Sequence, residues 1–382
     1  MPDDPQAHRT PREDGDESPP RVPEPGSVTL ADVARLAGTS SATVTRALHG
    51  HPRVLPATRA RVEEAAAALG YVPHLGARAL AKRSSETIGL LMPTTADSFW
   101  GEVAAGIEQR AISHGYSLLI ATSHNDPRRE KGMLELFLGK RVDGIVVGSA
   151  AAMPGSWFPG SRPATPIVLL SWNTPFEARH LAMVRDEPVA AATKRVQARV
   201  NDTPYQHVAT DDADGTAHAV RYLVDLGHRS IAFAGLAPIR PSLMRFLGLR
   251  TALEERGLQP VDAVECPLTL EGGQRAGRKL AAMNPRPTAI VAYDDIVAIG
   301  VIRGVHSAGL RVPEDISVVG FDDVEVAAFV EPPLTTVRQA MPELGSLAVA
   351  IIFSTLDGSR VDQGPLLRGD LIVRHSSGPA RT

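Results

Sequence analysis

The chain has 382 residues, 43% hydrophobic and 22% charged, with a formal net charge of −3, which allows more than one domain and a large core. No apolar run approaches the roughly 18 to 20 residues of a membrane-spanning helix, and its one cysteine, Cys266, excludes an internal disulfide and any multi-cysteine zinc site. The chain therefore reads as soluble and cytoplasmic, with no membrane partner, metal or cofactor, and Cys266 as a buried small apolar residue.

The first 26 residues are rich in Pro, Asp and Glu and lack an apolar segment, which predicts a disordered tail and excludes a secretory signal. They hold three Arg against seven acids, whereas residues 27–83 hold eight Lys or Arg against three acids. A basic module on a near-neutral body suits a protein that meets phosphate at one end, and a merely solvated basic helix face gives the same count.

The module begins with "VTLADVARLAGTSSATVTRALHG", Val28 to Gly50. Thr29 can cap a first helix that Asp32 favours electrostatically. Val33, Leu36 and Ala37 give that helix an apolar stripe, and Gly38 can end it. Ser40 can cap a second helix, Ser41 to about Leu48, with Val44 and Leu48 facing inward. A third runs from Pro56 through Val62, Ala65, Ala66 and Leu69 to a stop at Gly70.

Helices this short need a shared core. Two of them joined by a tight Gly-containing turn, with a third packed behind, form a helix-turn-helix that offers its second helix to the DNA major groove. Ser41, Ala42, Thr45 and Arg46 then point outward, and Arg46 can make a bidentate contact to guanine. Ser40, Thr43, Thr58 and the Tyr71 phenol suit phosphate. The competing reading is a helical pair with only a packing role.

After the module, "YVPHLGARALAKRSSETIGLLMP" holds a short helical pattern, Leu75 to Ala81, ahead of a strand at Ile88 to Met92. Leu80 has no core of its own. It either wedges between base steps in the minor groove as the segment orders on DNA, or docks as part of a linker on the body.

From Ile88 apolar runs alternate with amphipathic stretches: IGLLMP, then Phe99 to His114; YSLLIAT, then Arg128 to Gly139; VDGIVVGS; PIVLLS. The pattern restarts after His207 with VATDD, a helix through Leu226, RSIAFAG, a helix around Met244 to Arg256, TAIVAY, a helix to Ala308, and ISVVGFDD. This punctuation predicts an α/β body of two lobes with parallel sheets and a ligand cleft at the strand ends.

Phe99, Trp100, Trp172, Arg245, the pair Asp294 and Asp295, and Asp322 with Asp323 fall at or near those ends. Aromatic faces, Asp acceptors and an Arg fork suit a small polyhydroxylated molecule, while Asp at a junction also serves as a helix cap and Trp as core. No nucleophile elbow, phosphate loop, dinucleotide fingerprint or zinc-protease motif occurs, so an enzyme is not expected. Asp211 and Asp212 could suggest hydrolysis but lack a placed partner.

These segments resemble the LacI/GalR family of bacterial transcription regulators, over about Val28 to Ser377. "VTLADVARLAGTSSATVTRALHG", "ARALAKRSSETIGLLMP", "LGHRSIAFAG", "GLRVPEDISVVGFDD" and "PPLTTVRQ" occur in the family's order. The resemblance implies a homodimeric regulator, usually a repressor, with a helix-turn-helix head, a hinge helix and a body like periplasmic sugar-binding proteins. It implies partners in double-stranded operator DNA and a small sugar-like effector, and a dimer without a tetramerising tail.

It also implies minor-groove insertion for Leu80, supported by Ala77, and places Thr29, His49 and His74 in the DNA-binding set. Effector contacts are implied for Phe99, Trp100, Arg245, Asp294 and Asp322, with Trp172 a further possibility. The domains expected are a tail (1–26), the head (27–73), a hinge (74–86) and the body (87–382). The N-lobe takes about 87–211 and 339–362, and the C-lobe about 212–338 and 363–382.

The chain departs from the family pattern at several places. His49 stands where Asn is common, Leu55 where a small hydroxyl residue is frequent, Asp294 for a frequent Asn and Ser171 for a frequent Asp. "RDEPVAAATKRVQARVNDTPYQ", after Val184, is extra sequence expected to form a loop or short helix near the cleft or the dimer face. Two rival functions are a solute receptor with idle N-terminal helices and a hydrolase-like enzyme using the acidic cluster.

Overall fold

The computed structural model describes residues 28–72, 84–148, 157–158, 163–170, 176–201, 203, 205–259, 262–359 and 366–381. They fall into two units, a small one within 28–72 and a larger one within 84–381.

In the small unit, α1 (Leu30–Leu36) starts at Thr29, whose hydroxyl accepts from the Asp32 amide while the Asp32 carboxylate accepts from the Thr29 amide at 2.9 Å. This reciprocal box satisfies donors that a helix start leaves unpaired. Gly38, at φ +61°, supplies the left-handed residue in the turn to α2 (Ser41–Leu48), and the Ser40 hydroxyl accepts from the Thr43 amide at 3.2 Å. Helix α3 (Pro56–Leu69) has proline in its first turn and ends at Gly70, φ 63°. Val33, Ala34, Ala37, Val44, Ala47, Val54, Val62, Ala65 and Ala66 form one core.

Leu36 does not belong to that core: it is 56% exposed. The stripe centres on Val33, Ala34 and Ala37, and at roughly 100° per residue Leu36 points about 100° away from it.

The larger unit contains two six-stranded sheets. The first, in the order β11-β5-β4-β3-β1-β2, is parallel throughout: β1 (Thr87–Met92), β2 (Ser117–Thr122), β3 (Gly144–Val147), β4 (Ile167–Leu170), β5 (Gln206–Thr210) and β11 (Leu366–Leu367). The second, β12-β10-β9-β8-β6-β7, is parallel except for its edge strand β12 (Asp370–Ile372), antiparallel to β10 (Thr335–Arg338). Its remaining strands are β6 (Ile231–Leu236), β7 (Ala263–Glu265), β8 (Ala289–Ala292) and β9 (Ser317–Asp322).

Strands β1, β3, β4, β6, β8 and β9 are apolar almost throughout and mostly buried on both faces, as parallel strands under helices are. Helices α4 (Ser98–Ser113), α5 (Pro127–Gly139) and α12 (Met341–Leu356) pack with the first sheet. Helices α8 (Asp212–Asp225), α9 (Arg240–Glu254), α10 (Leu270–Ala281) and α11 (Asp295–Ser307) pack with the second. The chain passes between sheets at 210–212, 338–341 and 367–370. The last passage comes later than the sequence suggests, because Leu366 and Leu367 still pair with Ala209 and Thr210 in the first sheet.

The extra sequence forms neither a loop nor one short helix. Helix α6 (Arg179–Asp186) runs into it and α7 (Val189–Asn201) fills most of it. Although they lie in the chain between β4 and β5, their apolar sides join the core of the second lobe: Leu181, Val184, Val189, Ala192 and Val196 pack with residues of α8 and α9. Their cover explains why α9 is buried along nearly its whole length. Arg250 of α9, 6% exposed, donates from Nη1 to the Val184 carbonyl at 2.7 Å and the Glu187 carbonyl at 2.8 Å. Cys266 is only partly buried.

Removing Arg250 would leave those two carbonyls without their donor. Arg250→Ala is expected to destabilise the protein by about 2–4 kcal/mol in urea unfolding, with faster amide exchange over 181–198. Unchanged exchange there would refute the fastening.

Candidate functional site

On the small unit, Ser41, Ala42, Thr45, Arg46 and His49 are all exposed. They recur at helical spacing along one side of α2 and its C-cap, opposite buried Val44 and Ala47. The Thr45 hydroxyl donates to the Ser41 carbonyl at 2.9 Å, leaving its oxygen free to accept. The His49 Nδ1 donates to the Thr45 carbonyl at 2.5 Å, so Nε2 is the outward nitrogen. Arg46 has no carboxylate partner among the described residues.

Thr29 and Ser40 are exposed and held as helix caps, while Thr43, Thr58 and Tyr71 are half-buried, Tyr71 against the core of the unit. His74, Ala77 and Leu80 lie outside the described residues.

In the larger unit, a cavity of about 590 Å³ opens beyond the C-terminal ends of strands from both sheets. It is lined by Pro93 and Thr94 after β1, Ala237 after β6, Tyr293 and Asp294 after β8, Asp322 at the end of β9 and Gln339 in the second passage between sheets. Ligands of open α/β sheets bind at such ends.

Phe99 and Trp100 line it from the start of α4, held edge to face with ring centroids 5.1 Å apart. Both also belong to the core of the first lobe. A Cβ on Gly148 would lie 2.1 Å from the Trp100 ring, so the missing side chain makes room for the indole. Trp172 and Ser171 lie outside the described residues.

Arg245, 5% exposed, organises the opposite wall. Its Nε donates to Asp212 Oδ1 at 3.0 Å, its Nη1 to the Tyr293 carbonyl at 2.5 Å, and its Nη2 lies 3.5 Å from Asp322 Oδ1. The guanidinium sits over the Phe321 ring at 3.7 Å and the Tyr293 ring at 4.7 Å. Burial opposes its charge, and the Asp212 and Asp322 carboxylates outweigh burial, so its pKa is raised. Arg240 Nη1 binds the other oxygen of Asp212 at 2.9 Å.

Asp294 caps α11, accepting from the Val297 amide at 2.6 Å, and burial raises its pKa. Asp322, at φ 113°, accepts from Gln339 Nε2 at 2.5 Å. The Gln339 Oε1 in turn accepts from the Thr210 hydroxyl, so one chain of hydrogen bonds runs from the cleft into two of the passages between sheets. A non-glycine residue at such a φ is strained, and such strain collects at binding sites.

The structure thus brings Phe99, Trp100, Arg245, Asp294 and Asp322 to one cavity. Sequence reasoning missed Asp97, Tyr293 and Gln339 there. Asp97, which caps α4 by accepting from the Phe99 amide at 3.0 Å, occupies the same junction position that singled out Asp294. Asp212 is held by two arginines, one on each oxygen.

Asp295 faces away from the cavity. It accepts from the Val324 amide at 2.9 Å and the Thr336 hydroxyl at 2.5 Å, and burial pushes its pKa up to about 7. A raised carboxyl pKa means that the folded state binds a proton the unfolded chain has released, so stability falls as pH rises from about 4 to about 7. Asn is uncharged at every pH and still accepts from the Val324 amide, while its amide nitrogen donates to the Thr336 oxygen where the native carboxylate accepts from the hydroxyl. Relative to Asp295→Asn, the native protein is expected to lose on the order of 1 kcal/mol per pH unit across that window, read by chemical denaturation. A flat difference would contradict the assignment.

Residues 29–74 match the family model described as "Bacterial regulatory proteins, lacI family", and residues 220–377 match "Periplasmic binding protein-like domain". The catabolite control protein A of Priestia megaterium is 33% identical over 340 residues, covering 88% of this chain and 95% of that protein. The ribose operon repressor of Escherichia coli (strain K12) is 32% identical over 348 residues, covering 89% and 98%. A crystal structure of the lac repressor dimer bound to operator and the anti-inducer ONPF superposes with a TM-score of 0.76 at 28% identity, covering 92% of this chain and 99% of that one.

Proposed function

The chain belongs to the lacI family of bacterial regulatory proteins, and we propose from this that it represses carbohydrate-metabolism genes by binding a pseudo-palindromic operator as a homodimer under control of a sugar-like effector. The observation that carries the DNA-binding part is the exposed row Ser41, Ala42, Thr45 and Arg46 on the second helix of a helix-turn-helix. Arg46 reads guanine through its planar fork, Thr45 and Ala42 suit a thymine methyl, and Ser40, Thr43 and Thr58 fix register on phosphate. Thr29, His49 and Tyr71 complete the contact set on the described residues. Leu80, with Ala77 and His74 beside it in sequence, takes the minor groove.

The effector binds in the cavity against Phe99, Trp100, Arg245, Asp294 and Asp322, and Trp172 is a further candidate contact. Closure of the lobes around it moves the passages between sheets, and the segment joining body to head is ordered or released accordingly. An effector shifts operator affinity only by its differential affinity for the two states, typically about 1–3 kcal/mol. No catalytic step is required: the effector leaves as it entered.

Sequencing the genomic fragments retained by the purified protein at physiological salt is expected to return one enriched pseudo-palindrome, since non-specific phosphate binding is weakened there. Arg46→Ala should relax the preference at one base pair of each half-site by about 1–3 kcal/mol. No salt-dependent retention of DNA, and no measurable effect of Arg46→Ala, would favour the solute-receptor reading.

A further inference from the structure

The cavity holds more negative charge than its own cations neutralise. Asp97, Asp212, Asp294 and Asp322 line it, and Arg245 is its one lining cation among the described residues. Asp212 is satisfied by Arg240 and Arg245 together. Arg245 donates to Asp212 and to the Tyr293 carbonyl and forms an ion pair with Asp322 at 3.5 Å, so its single charge is shared between two carboxylates.

The three other carboxylates are thinly matched. Asp97 and Asp294 accept from backbone amides of their own helices and pair with no cation among the described residues. Asp322 is 9% exposed; its Oδ1 takes both Gln339 and Arg245, and its Oδ2 accepts no hydrogen bond among the described residues, although the residue lines the cavity. Burial raises the pKa of all three; the charge of Arg245 pulls Asp294 and Asp322 back down, and repulsion from Asp97 on Asp294 and from Asp294 on Asp322 adds to burial, which still prevails.

A buried carboxylate is stabilised by a partner charge or takes up a proton. The protein supplies too few charges: the remaining lining is aromatic, apolar at Pro93, Ile239, Pro241 and Leu268, and neutral polar at Thr94, Asn125 and Thr269. Aromatic faces attract cations as well as sugar rings.

We propose that the effector carries a cationic nitrogen, as an amino sugar does, with its ammonium among Asp97, Asp294 and Asp322 and its ring against Phe99 and Trp100. This rests on the reading of the cavity as the effector site. A phosphorylated or carboxylated sugar is repelled by the same carboxylates. A neutral sugar offers their oxygens hydroxyl donors but no countercharge.

Calorimetric titration of the full chain at pH 7.5 with three pairs, glucosamine and glucose, galactosamine and galactose, mannosamine and mannose, together with glucose 6-phosphate, tests this. At least one amine is expected to bind about tenfold or more tightly than its neutral partner, with no binding of the phosphate. Asp294→Asn, checked for folding by its melting temperature, should remove most of that advantage. A neutral sugar that binds as well as or better than its amine overturns the proposal and leaves the effector reading of the cavity standing. An amine preference that survives Asp294→Asn overturns the placement of the ammonium. Absence of binding by all seven compounds overturns the proposal and the sugar reading together.

Discussion

The guanidinium of Arg245, buried between Asp212, Asp322 and the Tyr293 carbonyl, is the constraint on which the cleft depends. A charge so far from water persists only when acceptors replace its hydration. Those acceptors come from α8, from β9 and from the end of β8, so one side chain fixes the relative positions of the elements that form one wall. Stacking on Phe321 and Tyr293 fixes the plane of the fork. Asp322, through Gln339 and Thr210, carries that order into the passages between the sheets. Any ligand that contacts Asp322 therefore contacts the part of the molecule where the lobes are joined.

Much of this was legible in the sequence because it rests on local rules. Thr29 and Ser40 as caps, Pro56 in a first turn, and Gly38 and Gly70 in left-handed geometry follow from the backbone groups a helix leaves unpaired. The alternation of apolar runs with amphipathic stretches marked the strands and helices, and strand ends marked Phe99, Arg245, Asp294 and Asp322.

What was not legible depends on contacts between distant segments. Leu36 was placed inside by its apolar character, but on so short a helix the core accepts a narrow stripe. Helices α6 and α7 carry spacing that suits a helix, with Val189, Ala192 and Val196 on one side. Nothing in that spacing says that a segment inserted between two strands of the first lobe packs on the second. Gln339 has no sequence signal beyond its place in "PPLTTVRQ", and the adjacency of Asp211 and Asp212 says nothing of the Arg240 and Arg245 guanidiniums that occupy the two oxygens of Asp212.

The two units divide the work by their chemistry. On its second helix the head presents short polar side chains and one exposed arginine, Arg46, which suits discrimination among base pairs over a basic surface. The cleft presents carboxylates and aromatic rings, which suits a small ligand. Occupancy of this cleft should alter operator affinity, which is read from the Kd of the enriched operator with and without the small-molecule fraction of a cell extract, for the native chain and for Asp322→Asn. A change of about 5- to 150-fold is expected for the native chain and a much smaller one for Asp322→Asn. An operator Kd that the fraction shifts equally in both proteins, or in neither, would contradict it.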